Sequence, residues 1–109
     1  MVVVVGRVVT DAERRDELVR IGQAVAAASR EEPGCIAYRL HEDTERPNHF
    51  VFVEEWASQE ALQQHFGMPH VAEFMSGMAG VMVEPPDVKF HQVASTMDLE
   101  QVTAAAQSS

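Results

Sequence analysis

The stretch Glu32–Phe74 reads EPGCIAYRLHEDTERPNHFVFVEEWASQEALQQHFGMPHVAEF and decides the fold of this chain. Pro33-Gly34 is a turn signal that ends any helix before it. Cys35–His41 and His49–Trp56 are rich in β-branched and aromatic residues, which predicts two strands. The polar segment Glu42–Asn48 between them predicts a hairpin connection longer than two residues. The stretch therefore specifies a β-hairpin before any other element is considered.

Two helices follow the hairpin. Ser58 is a favourable N-cap for a short helix that ends at Gly67, and Pro69 suits the first position of a second helix. Apolar residues recur along both segments at helical spacing, which predicts that each helix packs one face against a sheet. The whole stretch is therefore predicted to run strand, strand, helix, helix.

The segments on either side add a strand, a helix and a final strand. Val2–Val9 predicts a valine-rich strand, and Thr10 with Glu13 three residues later predicts a capping box that starts a helix ending near Arg30. Asp87–Ala94 alternates apolar and polar residues and predicts the last strand. The order β-α-β-β-α(α)-β predicts an α+β, ferredoxin-like fold, an antiparallel sheet with helices on one face.

The first and third strands are apolar on both faces. A sheet with one solvated face alternates apolar and polar residues, but Val2–Val5 and Phe50–Val53 do not. The helices can cover only one face, and an uncovered apolar face would exceed the apolar patch that soluble monomers usually carry. The sequence therefore predicts a homodimer in which two sheets pack face to face.

The length, net charge and cysteine content of the chain limit the classes of protein to which it can belong. A chain of 109 residues predicts one domain, residues 1–96, followed by a tail, residues 97–109, that is weakly helical or disordered. The formal net charge of −9 argues against nucleic acid and anionic membranes as partners. The single cysteine, Cys35, rules out an intrachain disulfide and fits a reducing cytoplasm. No apolar run is long enough to span a membrane, and the N-terminal segment lacks the basic region of a signal peptide.

One of the five histidines stands out. His65 is the one polar residue on an otherwise apolar helix face. It is either a buried ring with one satisfied hydrogen bond or a ring that moves a proton in a pocket between helix and sheet. His70 lies in the first turn of the next helix, where surface exposure is the simpler interpretation. The two are five residues apart across a Gly-Met-Pro break, which is not a metal-binding spacing, so no metal site is predicted.

Three further polar side chains fall on the predicted sheet. Tyr38 and Trp56 are the only tyrosine and tryptophan, and their O–H and N–H groups need partners if buried. Glu54 shares a strand face with Trp56, so its carboxylate must be paired, solvated or bound, with Arg7 and Arg39 as candidate partners. No phosphate-binding loop, nucleophile motif or Rossmann fingerprint is present, so no cofactor is predicted.

The pieces EPGCIAY, FVFVEEW, SQEALQQH and MPHV, in this order and spacing, resemble the antibiotic biosynthesis monooxygenase (ABM) family. The resemblance covers the stretch Glu32–Phe74 closely, and the flanking elements fit the family's layout. It implies a dimeric α+β barrel built from two ferredoxin-like subunits. Members of the family include oxygenases of quinols and anthrones that use no metal or flavin. They deprotonate the substrate in an apolar pocket, and its electron-rich ring is thought to activate oxygen.

The resemblance therefore implies a cofactor-independent monooxygenase that acts on a small aromatic quinol or anthrone. We predict His65 and Tyr38 to be its catalytic residues. The predicted substrate pocket contains Trp56, His70, Glu54, Phe66, Phe74 and Met75. The methionines around the second helical region are either core filler or a pliable wall for a flat apolar ligand.

Two alternatives stay open. Another branch of the family, similar to this chain around His65 and Pro69-His70, isomerises a small phosphorylated signal compound. That similarity implies a cofactor-free isomerase or proton-transfer enzyme acting on a small carbonyl compound, although few basic residues lie near the predicted pocket. The other alternative is a non-catalytic dimer that binds small aromatic ligands. Haem-degrading members combine an asparagine on the first strand with a proximal histidine; the only asparagine here is Asn48, in the hairpin, so haem degradation is not expected.

Overall fold

Eight elements follow one another in the computed structural model, which describes residues 1–108. They are β1 (Val2–Val9), α1 (Arg15–Arg30), β2 (Cys35–Glu42), β3 (His49–Trp56), α2 (Gln59–Phe66), α3 (Pro69–Ala79), β4 (Asp87–Gln92) and α4 (Leu99–Gln107). The strands form one open antiparallel sheet in the order β2-β3-β1-β4. The predicted α+β, ferredoxin-like architecture is confirmed.

The hairpin and the two helices after it lie where local signals place them. β3 runs from His49 to Trp56 as predicted. The Ser58 side chain caps α2 by accepting the Ala61 N–H at 3.1 Å, and Pro69 is the first residue of α3. Each of these signals acts within about one turn of chain, so sequence alone suffices to locate them.

α1 begins later than the sequence predicts. Thr10, the predicted N-cap, is buried, and its hydroxyl donates to the Val81 carbonyl at 2.6 Å. The helix starts at Arg15, without a side-chain cap. A tertiary contact therefore takes the hydroxyl that the predicted capping box required. β4 is also shorter than predicted and ends at Gln92 instead of Ala94.

The helices cover one face of the sheet. Along β1 and β3, every second residue is buried, with the intervening ones mostly half-exposed. The buried residues pack with Leu18 and Val25 of α1 and Met78 of α3 into one core. On the opposite face, the cross-strand neighbours Val5 and Val53 remain half-exposed. The opposite face of the central strands therefore carries an apolar patch around Val5 and Val53, as the valine-rich runs predict, but Arg7 and Glu55 lie on the same face.

The turn between α1 and β2 depends on Gly34. Its φ is +84°, and a Cβ at this position would lie 2.6 Å from the Cβ of Ala61 in α2. The Gly34 carbonyl also accepts the Ala57 N–H at 2.8 Å. Because only glycine combines this backbone conformation with this close approach, the turn packs directly on the start of α2. That contact brings Glu32 next to the helix that carries His65.

α4 forms inside the segment predicted to be a weak helix or a disordered tail. Asp98 and Gln101 make a reciprocal capping box at its start. Its apolar residues are exposed, including Leu99 and Val102. The division of the chain at residue 96 stays a prediction. No helix within residues 1–108 combines the length and apolar character needed to cross a membrane.

Candidate active site

An apolar cleft lies between the sheet and α3. It has a volume of about 180 Å³. Its lining residues are Val4, Gly6, Val8, Phe52, Glu54, Phe66, Val71, Phe74, Met75, Met78, Met82, Pro86 and Val88. Among the described residues that line it, Glu54 alone has an ionisable side chain. An apolar concavity with very few convergent polar groups is the usual form of a small-molecule site.

Glu54 is an unusual carboxyl because it is buried in the wall of this cleft. Burial raises its pKa to about 7, and the negative charge of Glu32 adds to the effect. Hydrogen bonding from Trp56 and Tyr38 opposes the rise; the Trp56 Nε1–H donates to Glu54 Oε1 at 3.0 Å. The carboxyl therefore changes its protonation state near neutral pH, which suits a general base.

Tyr38, one of the two residues predicted to be catalytic, lies beside Glu54. The two residues are partners in the β2–β3 register. Burial, and then the charge of Glu54, raise the pKa of the Tyr38 hydroxyl well above its usual value. At neutral pH the hydroxyl therefore stays protonated and acts as a donor. Tyr38 packs edge-on against Phe52 and does not line the cleft.

His65, the other residue predicted to be catalytic, lies between two carboxyl groups. Its side chain is 3% exposed, and its ring centroid lies 4.5 Å from that of Trp56. Nδ1 lies 2.8 Å from Glu32 Oε2, and Nε2 lies 4.0 Å from Glu54 Oε1. His65 does not line the cleft, so it can act on a bound molecule only through Glu54.

Glu32 is a site residue that the sequence analysis missed. Its Oε2 lies 2.8 Å from His65 Nδ1 and 2.7 Å from His70 Nε2, so one carboxylate oxygen joins both rings. The signal that could have found it is its position directly before Pro33-Gly34. An acidic residue in a turn that packs on an apolar helix needs a buried partner.

Glu32, His65 and His70 are also the described residues best placed to hold a metal ion, because their ligand atoms lie within 4.8 Å of one another. The distances of 2.8 and 2.7 Å from the carboxylate oxygen to the ring nitrogens are those of hydrogen bonds. Ligand atoms on a tetrahedral zinc ion, with bonds of about 2.0–2.1 Å, would lie about 3.3 Å apart. The arrangement is therefore that of a hydrogen-bonded triad.

The other predicted pocket residues fall into two groups. Phe66, Phe74 and Met75 line the cleft together with Glu54. Trp56 is fully buried and supports Glu54 from outside the cleft lining, and His70 borders a different recess.

The ion pairs suggested for Glu54 with Arg7 or Arg39 do not form, and that prediction is wrong. Successive side chains of a strand point to opposite faces. Arg39 follows Tyr38, the register partner of Glu54, and Arg7 pairs with Val51. Both arginines therefore belong to the face opposite Glu54.

A ferredoxin-like sheet with one apolar cleft and a buried acid in its wall is the architecture of a small-molecule site. The sequence profile of the antibiotic biosynthesis monooxygenase family matches residues 1–77. The chain therefore belongs to the antibiotic biosynthesis monooxygenase family.

The chain is also similar to individual proteins and solved structures. The Synechocystis protein sll1783 is 33% identical over 98 residues, which are 90% of this chain and 67% of that protein. A solved structure of an antibiotic biosynthesis monooxygenase is 26% identical, with a TM-score of 0.80, over 87% of this chain and 100% of that one. The solved structure of Rv0793 from Mycobacterium tuberculosis is 25% identical, with a TM-score of 0.82, over 89% of this chain and 98% of that one.

Proposed function

We propose that this protein is a cofactor-independent monooxygenase that oxidises a small aromatic quinol, with Glu54 as its general base. The observation that carries the proposal is Glu54 itself, an ionisable group with a pKa raised to about 7 in the wall of an apolar cleft. Membership of the family and the 26% identical monooxygenase structure support oxygenation as the reaction.

The reaction needs no reductant other than the substrate. Glu54 takes the proton of the quinol hydroxyl, and the apolar cleft holds the resulting anion away from water. The electron-rich anion gives an electron to O₂, and the two radicals combine to form a peroxide anion. This anion takes the proton back from Glu54 and becomes a hydroperoxide. Loss of water then leaves a hydroxyquinone. The substrate loses two hydrogen atoms and gains one oxygen atom, and the second oxygen atom leaves as water.

Each polar residue around Glu54 has a distinct role in this scheme. Trp56 orients the carboxylate through its Nε1–H. Tyr38 stays protonated and donates to the same carboxyl. His65, which lies 4.0 Å from Glu54, exchanges a proton with it instead of touching substrate. In this proposal His65 and Tyr38, which the sequence predicts to be catalytic, act on the substrate only through Glu54.

The volume of the cleft favours a small substrate. A cavity of about 150 Å³ holds one benzene ring, and the cleft measures about 180 Å³. A larger anthrone would have to extend past Phe66 towards the exposed Phe90, whose ring lies 5.9 Å from that of Phe66. We therefore place quinols with one ring ahead of anthrones.

Oxygen uptake tests the proposal. Metal-stripped protein is assayed with a panel of quinols, and uptake is compared with product formed. Glu54→Gln keeps the size of the side chain but removes the base, so turnover should fall by about two to four powers of ten. Glu55→Gln is the matched control, because Glu55 is the next residue of β3 and belongs to the opposite face.

Three results would contradict the proposal. Wild-type protein that turns over no quinol in a broad panel is not this oxygenase. Turnover that is undiminished without oxygen indicates the isomerase alternative. Binding without any product indicates the non-catalytic alternative.

The proposed assembly is a homodimer with one cleft per subunit on the helix side of each sheet. Its support is the half-exposed apolar face that carries Val5 and Val53. A cytoplasmic location stays a prediction from composition.

A further inference from the structure

A line of ionisable side chains connects the cleft with a second opening on the surface. It runs from Glu54 to His65 over 4.0 Å, from His65 to Glu32 over 2.8 Å, and from Glu32 to His70 over 2.7 Å. The His70 side chain is 22% exposed and borders a recess of about 400 Å³. Glu32 and Gln64 border the same recess, and Glu54 does not.

The proposed reaction creates a need for such a connection. Once an aromatic molecule fills the cleft, the apolar lining leaves no water beside Glu54. Because the pKa of Glu54 is raised to about 7, substrate also binds to protein in which this carboxyl is protonated. That proton must leave before Glu54 can act as a base. Tyr38, the other titratable neighbour of Glu54, is buried and borders neither opening.

We propose that His65, Glu32 and His70 form a proton relay that carries protons between Glu54 and solvent in the recess while the cleft is occupied. The inference rests on the proposed function, because it gives Glu54 the role of base. The three residues are positioning and proton-transfer residues, since none of them lines the cleft.

The proton movements balance along the line. His65 accepts a proton from Glu54 at Nε2 and passes its Nδ1 proton to Glu32. Glu32 passes a proton to Nε2 of His70, which releases one from Nδ1 to water in the recess. The link from Glu54 to His65 is the longest, and a side-chain shift of about 1 Å would bring it to hydrogen-bond length. Catalytic hydrogen bonds of an empty site commonly tighten when a ligand binds.

The fluorescence of Trp56 can be used to follow proton transfer to and from Glu54. Trp56 is the only tryptophan, and its Nε1–H donates to Glu54 at 3.0 Å, so its fluorescence should respond to the protonation of that carboxyl. Metal-stripped protein is saturated with cyclohexane, a one-ring hydrocarbon that neither ionises nor fluoresces. Photolysis of a caged proton then shifts the pH across 7, and Trp56 emission is followed in time.

We expect His70→Ala and Glu32→Gln to slow the emission change by about tenfold or more. Added imidazole, a diffusible proton carrier, should restore the rate in His70→Ala, where it can enter the recess. Gln64→Ala is the matched control, because Gln64 borders the same recess without a titratable group, and it should keep the wild-type rate. Glu54→Gln should abolish the emission change and so verify the reporter.

The outcomes separate the relay from the proposed function. A folded His70→Ala protein that keeps the wild-type rate with the cleft occupied overturns the relay alone. A wild-type protein whose Trp56 emission does not change across pH 7 shows that Glu54 does not titrate there. That result overturns the proposed base and the relay together.

Discussion

Glu54 serves the candidate site as a buried carboxyl, but the burial of this group lowers the stability of the fold. The carboxyl ionises at about pH 4.5 in an unfolded chain, but burial raises its pKa to about 7 in the folded protein. An ionised carboxylate in the cleft wall therefore destabilises the fold, and the hydrogen bonds from Trp56 and Tyr38 offset only part of this cost. A residue chosen for stability alone would be apolar at this position.

The raised pKa predicts how stability depends on pH. Between about pH 4.5 and pH 7 the folded protein holds a proton that the unfolded chain releases, so the free energy of unfolding should fall as pH rises through this range. Urea unfolding at pH 5 and pH 8 measures it. Wild type should lose on the order of 1–3 kcal/mol more than Glu54→Gln between the two pH values. Glu55→Gln should behave like wild type; parallel profiles for Glu54→Gln and wild type would contradict the burial argument.

At the scale of single elements, the turn before β2 matters most because it carries Glu32. The backbone of Gly34 is left-handed, and α2 leaves no space for a side chain there. The turn connects the end of α1 to the start of β2. Its packing on α2 also fixes the distance from Glu32 to His65. The proposed relay therefore depends on a glycine that takes no part in chemistry.

Gly34→Ala tests whether the turn needs a glycine for its backbone conformation and its close packing on α2. The left-handed conformation costs an L-residue about 1–2 kcal/mol, and the overlap with Ala61 adds about 1–3 kcal/mol. The free energy of unfolding should fall by roughly 2–5 kcal/mol in urea titrations. Gly67→Ala is the control, since Gly67 has a negative φ and its closest contact for a Cβ is 3.4 Å. Equal stabilities for the two variants would show that the turn tolerates a side chain.

At the scale of the whole molecule, the helices leave one face of the open sheet uncovered. The radius of gyration is 16.0 Å, with extents of 51 × 34 × 20 Å, whereas a compact chain of this length would have about 13 Å. The exposed α4 helix accounts for part of this extension. The prediction of a partner rests on the apolar patch around Val5 and Val53 on the uncovered face, because a self-complementary patch favours a closed two-fold dimer.

Paired lysines at the centre of that face should separate the dimer. Val5 and Val53 are cross-strand partners, so Val5→Lys with Val53→Lys places two positive charges side by side in each subunit. Sedimentation at micromolar concentration should show wild type at twice the 12.1 kDa chain mass and the double variant at 12.1 kDa. Ala72→Lys, on the exposed side of α3, should leave the dimer intact. Folded wild type at the chain mass would refute the assembly.

Predictions from the sequence were accurate where the signal was local. β3, the cap of α2 and the proline at the start of α3 were all placed correctly. The start of α1 was not, because the Thr10 hydroxyl bonds to Val81, 71 residues away. The arginine partners suggested for Glu54 failed for a related reason. A strand pattern indicates which residues share a face, but an indole N–H or a phenol O–H can satisfy a buried carboxylate as well as a cation does.

By itself, the sequence determined the order of the strands and helices, the apolar runs of β1 and β3 and the resemblance to the family. These properties depend on residue type at short spacing. Only the tertiary structure decided which acid lines the cleft and that His65 reaches both Glu32, 33 residues earlier, and Glu54. The physical reason is that a pKa depends on burial and on neighbouring charges. At Glu54 both are set by separate elements, which meet only when the chain folds.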